Sequence, residues 1–276
     1  KNQIVFGVTG TEGKSTICSY LSQYLSHSYK SLIIGNYGNT ILDKDNLEKI
    51  LLKTKIIIIE LSSYQLDKIK FLKINHAIIT NIYSDHLQYH GSFLNYVKSK
   101  FKIQSFLDKN GNLHISNLDK RRYANLVYSH NINIISKLNF KNNLLGFDIN
   151  LLNKNFTKKV LSFSKLNYNP NIKLKNLPFR NELIKKKFNP IIINDSKSTN
   201  LENSIFKINQ IKLKKKIVIL GGIPKKSNIK KNIIKNSLIL IFGPSRFKII
   251  KKLEFINSKF FTFVDLENLF KFLKVI

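Results

Sequence analysis

Residues 3–25 read QIVFGVTGTEGKSTICSYLSQYL, and this stretch constrains the fold more than any other part of the chain. QIVFGVT (3–9) has the β-branched and aromatic content of a strand, and apolar residues take helical spacing over 14–27. Between them, Gly10 and Gly13 supply the backbone freedom of a tight turn. A strand that enters a helix through such a turn aims backbone N–H groups and a helix N-terminus at one spot, and that spot suits a phosphate. Lys14 adds a positive charge for the outer phosphates, and Ser15 or Thr16 adds a hydroxyl for Mg²⁺. The general pattern G-x-x-x-x-G-K-[ST] would place a glycine at position 8, where this chain has Val8. Glu12 is unusual inside an anion-binding loop. Its carboxylate is expected to point away from phosphates, or to take part in Mg²⁺ or proton work.

The same alternation continues along the chain. KIIIIELS (55–62), HAIITNI (76–82), KKIVILGG (215–222) and SLILIFG (237–243) read as strands. Residues 92–107 and 267–273 have helical spacing. Short apolar strands separated by helices argue for an α/β chain with a mostly parallel sheet covered on both faces. Residues 110–175 are rich in Asn and Lys, and the one strand predicted there lies around Leu126–Tyr128. LKNLP (174–178) marks a domain boundary, giving a first domain over 1–176 and a second over 177–276.

Composition narrows the class. The chain has 276 residues, long enough for two domains, and its 43% hydrophobic content supports real cores. No apolar run reaches the ~18–20 residues of a membrane span. Cys18 is the only cysteine, so an internal disulfide is excluded and a reducing, cytoplasmic compartment is expected. The chain has no Met and starts with Lys1, so it is expected to be a piece of something longer. A formal charge of +31 invites a nucleic-acid reading. The excess is nearly all Lys, with Arg121, Arg122, Arg180 and Arg246 as the only arginines, and abundant Ile and Asn accompany it. That pattern fits AT-rich codon bias better than a nucleic-acid surface, and no nucleic-acid partner is expected. Anionic small molecules would still be drawn to such a field.

Three further residues fall where a site would form. Glu60 ends the apolar strand near the loop, where an acid can hold Mg²⁺; a solvated strand-end acid is the plainer alternative. His86 follows the next strand, and ligands in open α/β sheets gather beyond the carboxyl ends of strands. Lys100 shares a helix face with Phe93, Val97, Phe101 and Gln104, while Lys98 and Lys102 point elsewhere. A lysine on such a face either snorkels or loses its proton readily, and a neutral lysine can add CO₂ to become a carbamate.

Taken together, the motifs resemble the Mur ligase superfamily, in particular its D-glutamate-adding branch. They are TGTEGKST (9–16), ELSSYQL (60–66), DHLQYHGSFLNYVKSK (85–100), LPFRNEL (177–183), NDSKSTN (194–200) and LGGIPK (220–225), in the family's order. The resemblance implies a central P-loop ATPase domain and a smaller Rossmann-like α/β C-terminal domain. It implies an ATP-dependent, ADP-forming ligase that adds D-glutamate to UDP-N-acetylmuramoyl-L-alanine through an acyl phosphate, for peptidoglycan synthesis, in a monomer. Alternatives are another Mur-type ligase with a different amino acid, or a reduced, non-catalytic remnant.

The resemblance also implies roles. ATP would meet Gly10, Thr11, Glu12, Gly13, Lys14, Ser15 and Thr16, with Asn150 and Asn153 at the adenine, Arg180 at the phosphates and Asp195 at the ribose. Ser15 and Glu60 would hold one Mg²⁺, and His86 with carbamylated Lys100 a second. Lys197, Thr199 and Lys225 would face the D-glutamate side, with Lys14, His86, Lys100 and Lys197 as the catalytic set. Gln88 and Tyr89 stand where the family has Asp-Arg, Phe179 where it has His, and Glu12 where it mostly has Asn. The family's N-terminal UDP-binding domain and its C-terminal S-P-A-x-A-S-F-D segment have no counterpart here.

Overall fold

The structure is a computed structural model that describes residues 3–38, 44–136, 149–184, 191–211, 213, 215–224 and 232–275. These residues form two compact units, one from 3–136 with 149–178 and the other from residue 179 onward.

The first unit alternates strand and helix: β1 (Ile4–Thr9), α1 (Lys14–Leu25), β2 (Ser31–Gly35), α2 (Lys44–Lys53), β3 (Ile56–Glu60), α3 (Ser63–Lys68) and β4 (Ile74–Ile79). It continues with α4 (Leu87–His90), α5 (Phe93–Phe101), β5 (Leu107–Ser116), α6 (Asn117–Arg122), β6 (Ile132–Ile135) and α7 (Ile149–Ser164). The strands make one sheet in the order β2-β3-β1-β4-β5-β6, parallel at every pairing.

Strand side chains alternate between faces, which splits the apolar residues into two cores. Ile57, Ile59, Ala77 and Ile79 pack under α3 and α5, against Leu66, Val97 and Phe101. Phe6, Val8, Ile56, Ile58 and Ile78 pack under α1 and α7, against Ile17, Leu21, Phe156 and Val160. The helix after β1 therefore lies on one face, and the helices after β3 and β4 on the other. Between such oppositely directed connections a crevice opens at the carboxyl ends of the strands.

Two expectations shift in detail. The helix expected over 92–107 is α5 followed by a tighter 3₁₀ turn, Lys102–Phe106. The strand expected around Leu126–Tyr128 is absent: Ala124–Leu126 is a 3₁₀ turn. Its neighbours' backbone groups are satisfied by a side chain, since Gln104 donates to Leu126 O and accepts from the N–H groups of Tyr128 and Ser129. β5 and β6 supply the strands instead.

The second unit contains β7 (Glu182–Ile184), β8 (Ile192–Asn194), α8 (Leu201–Gln210), β9 (Ile217–Leu220), β10 (Asn232–Lys235), β11 (Leu238–Phe242), α9 (Arg246–Ile250), β12 (Leu253–Ile256), β13 (Lys259–Phe263) and α10 (Leu266–Leu273). β13-β11-β9 and β10-β12 are parallel sheets, and β7 pairs antiparallel with β8. Val218, Ile239 and Ile241 pack with Ile205 of α8, Ile249 of α9 and Leu253. Among the described residues, no helix is long and apolar enough to cross a membrane.

Candidate active site

The loop after β1 is shaped by its two glycines. Gly10 has φ 140°, and a Cβ there would collide with Thr80 Oγ1. Gly13 is the left-handed residue that starts α1, with φ 79°. A Cβ on it would come 3.1 Å from Asn153 Oδ1. The end of β4 ties the loop down. Thr11 N donates to Asn81 O (2.9 Å) and Glu12 N to Asn81 Oδ1 (2.9 Å). Thr80 Oγ1 donates to Glu12 O (2.6 Å). The backbone of Glu12 is thus held at both its N–H and its C=O. The first turn of α1 carries no acidic residue, so its positive dipole end is left to an anion.

Two lysines converge on one carbonyl. Lys14 Nζ donates to Gly10 O (3.0 Å) and Thr11 O (2.9 Å). Lys100 Nζ donates to the same Gly10 O at 2.8 Å and lies 4.7 Å from the centre of the Tyr96 ring. Lys100 is 2% exposed, so it does not snorkel. Burial pushes its pKa well below the ordinary lysine value, and the nearby Lys14 charge adds to the effect, against the opposing pull of Asp85 and Glu60.

Glu60, in register with Val8 of β1, is 1% exposed. Its Oε1 accepts from Asn36 Nδ2 at 3.0 Å, while its Oε2 is buried with no hydrogen-bond partner. A carboxylate oxygen in that condition is costly unless a cation completes it. Oxygen donors of this kind, with the Ser15 hydroxyl at the start of α1, fit Mg²⁺, which binds through few carboxylates plus phosphate and water oxygens. Among the described residues, no three His, Cys, Asp or Glu side chains gather at metal-holding distance.

His86 caps α4 in a left-handed conformation, φ 51°. Its Nδ1 lies 2.8 Å from Tyr64 Oη and its Nε2 3.4 Å from Asp85 Oδ2. A cavity of about 220 Å³ unites Gly10, Thr11, Lys14, Asn36, His86 and Lys100. The site residues from the ends of β1 and β4 and from α5 therefore meet. Sequence reasoning missed Asn36, Tyr64 and Tyr96. Asn36 was reachable: SLIIGN (31–36) is an apolar run closed by Gly, and the residue just past a parallel strand belongs on this rim.

The other expected residues are placed as follows. Asn150 and Asn153 are buried on α7, with Asn153 against Gly13. Arg180, Asp195, Lys197 and Thr199 belong to the second unit. There Asp195 Oδ1 accepts from Asn181 N (2.9 Å) and Oδ2 pairs with Lys207 Nζ (2.9 Å), while Lys197 and Thr199 are exposed. Lys225 lies outside the described residues.

Known proteins are similar to this chain. The UDP-N-acetylmuramoylalanine--D-glutamate ligase of Fervidobacterium nodosum is 33% identical over 205 residues, covering 71% of this chain and 47% of that protein. That of Leptospira interrogans is 28% identical over 277 residues, covering 88% and 58%. The chain thus spans about half the length of these curated relatives. Among solved structures, the MurF ligase of Thermotoga maritima in complex with ADP has the same fold, with a TM-score of 0.72 at 18% identity, covering 99% of this chain and 74% of that one. A family model described as the Mur ligase middle domain matches residues 8–178, and with that match over more than half its length the chain belongs to the Mur ligase family.

Proposed function

We propose that this chain carries the nucleotide-binding and carboxylate-activating part of a ligase that joins D-glutamate to UDP-N-acetylmuramoyl-L-alanine at the expense of ATP. The observation that carries the reading is the cavity in which two lysines meet at the Gly10 carbonyl, beside a buried Glu60 oxygen that has no partner. The D-glutamate specificity rests on the names of the relatives and on the NDSKSTN segment (194–200).

A carboxylate is a weak acceptor of a phosphoryl group and repels a triphosphate, so charge neutralisation is the main task. The loop N–H groups and the start of α1 would hold the phosphates. Lys14 would leave the Gly10 and Thr11 carbonyls to meet the outermost one. A carboxylate oxygen of the acceptor attacks the γ-phosphorus, the bond to ADP breaks, and an acyl phosphate results. The D-glutamate amine then attacks the acyl carbon, phosphate departs with the acyl oxygen, and the amine loses a proton. Glu60 and Ser15 would hold Mg²⁺, whose part is to neutralise phosphate charge. Lys100, buried and with its pKa lowered, gives up its proton more readily than an ordinary lysine, and the neutral amine is the form that adds CO₂. As a carbamate it would present, with His86, an anionic site for a second ion. In the second unit the proposal assigns Arg180 and Asp195 to the nucleotide, and Lys197, Thr199 and Lys225 to the amino acid.

The test is phosphate release by the whole gene product that carries this chain. Release that requires ATP, UDP-N-acetylmuramoyl-L-alanine and D-glutamate together is the expected result. Release that ignores D-glutamate and responds to DNA or RNA would overturn the proposal.

A further inference from the structure

A second cavity, of about 720 Å³, lies in the first unit on the side of α5 away from the loop. Its volume falls in the range of small-ligand sites. One wall is α5 with the turn before it: Tyr89, Asn95, Lys98 and Lys102. The other wall is Asn125, Leu126 and Tyr128, and Phe101 contributes an apolar surface.

Bonds and ring contacts hold both walls in shape: the Tyr89 ring is set edge-on against Tyr64 and His90, with centroids 4.4 and 4.8 Å apart. Gln104 clamps 126–129 through the three hydrogen bonds described above. On the other side, Ser92 Oγ accepts from Asn95 N (3.1 Å) and Asn95 Nδ2 donates to His90 O (3.0 Å). Lys102 Nζ is spent on Asp67 O (2.9 Å), and Asp67 Oδ2 lies 3.5 Å from His90 Nδ1. Among the described residues, no carboxylate pairs with Lys98 and nothing bonds the Asn125 amide. Tyr89 and Tyr128 are about half exposed, at 47% and 59%. Among the described residues, the cleft therefore offers part-exposed aromatic surface, one unpaired cation and the Asn125 amide on a fixed frame.

We infer that this cleft is a second ligand site, which takes a small planar-ring anion: an aromatic carboxylate, or an aryl or nucleoside monophosphate. The ring lies against Tyr89 and Tyr128, the anion meets Lys98, and the Asn125 amide fixes orientation. The carboxylate and phosphate sources share this chemistry. The inference is independent of the ligase proposal, because no residue of the Gly10–Lys100 cavity takes part.

The experiment is calorimetric titration of the protein with phenyl phosphate and, separately, benzoate, with inorganic phosphate and phenol as the halves of the ligand. Saturable binding of phenyl phosphate or benzoate at about 1 mM or tighter, with at least tenfold weaker binding of phosphate and phenol, is expected. The tighter of the two aryl anions identifies the source. Lys98→Glu should weaken it about tenfold or more, Tyr128→Ala severalfold, and Lys14→Ala not at all. Both cleft substitutions are at exposed positions, and an unchanged thermal melt verifies the fold. Absence of saturation, affinities unchanged in Lys98→Glu and Tyr128→Ala, or loss of binding in Lys14→Ala would overturn the inference.

Discussion

Glu60 shows how much a single residue can disclose. Its place at the end of an apolar strand was legible in the sequence and favoured a Mg²⁺ role, with a solvated acid as the alternative. Burial to 1% and the unpartnered Oε2 separate the two readings. If Glu60 holds Mg²⁺ as proposed, Glu60→Gln should lower turnover by roughly a hundredfold or more. The same change should raise unfolding stability in chelator by about 1 kcal/mol, because a buried anion becomes a neutral amide. Steady-state kinetics and denaturant unfolding in EDTA check the two halves. At Gly10 the constraint is steric. Gly10→Ala meets Thr80 and the carbonyl of Asn81, at a φ that L-residues rarely adopt. It should cost about 1–3 kcal/mol of stability, measured by urea denaturation. From the residues alone Lys100 was a choice between snorkelling and reactivity, since periodicity places a residue on a face but does not say how deep that face lies; only the family resemblance pointed to a carbamate. If the carbamate is the working form, Lys100→Ala loses activity and short carboxylates restore part of it. Near-normal activity without them would count against that role.

At the scale of elements, β1, β3 and β4 were legible because each is a short apolar run, buried on both faces. β5 (LDKNGNLHIS) was not, because its first half is polar and carries an Asn-Gly pair that reads as a turn. Pairing with β4, through a register shift between Ile74 and His76, overrides that local preference. The pairing brings His76 Nδ1 within 3.1 Å of His114 Nε2, with both side chains buried. Burial holds His76 down to about 4, against the pull of Asp108, and holds His114 down to about 3, with His76 adding to the effect. Both are neutral in the folded chain at pH 7, whereas the unfolded chain takes up protons near the ordinary value of about 6.5. Stability from this pair is thus complete above pH about 6.5 and is lost as the pH falls toward the folded values. Unfolding free energy should drop by up to about 2.7 kcal/mol per pH unit between pH 6 and 4. A chemical-denaturation series over that range checks the slope, and His114→Phe, beside Phe163, should flatten it. The helix pattern of α5 was clear in the sequence, while its exit was not. The 3₁₀ turn that follows serves to swing Gln104 onto 126–129, a long-range contact that periodicity does not reveal.

For the whole molecule, the sequence announced a mostly parallel α/β chain, and a six-stranded parallel sheet with smaller parallel sheets is what the structure contains. In the second unit β9 and β11 were legible as uninterrupted apolar runs, while β10 (NIIK) and β12 (LEFI) were not, because each is only four residues long and carries polar or charged residues. The charge of +31 belongs to this scale as well. A field of that sign attracts anionic substrates at low ionic strength and fades as the Debye length shrinks from about 10 Å at 0.1 M salt to about 3 Å at 1 M. KM for ATP should therefore rise severalfold over that range with kcat little changed, as initial rates at several salt concentrations would record. The central claim is that the Gly10–Lys100 cavity transfers a phosphoryl group onto a carboxylate, and it leaves an atomic trace. If UDP-N-acetylmuramoyl-L-alanine is labelled with ¹⁸O in its carboxylate and turned over with ATP and D-glutamate, the released phosphate should carry one labelled oxygen, read by mass spectrometry. Amide product accompanied by unlabelled phosphate would contradict the account.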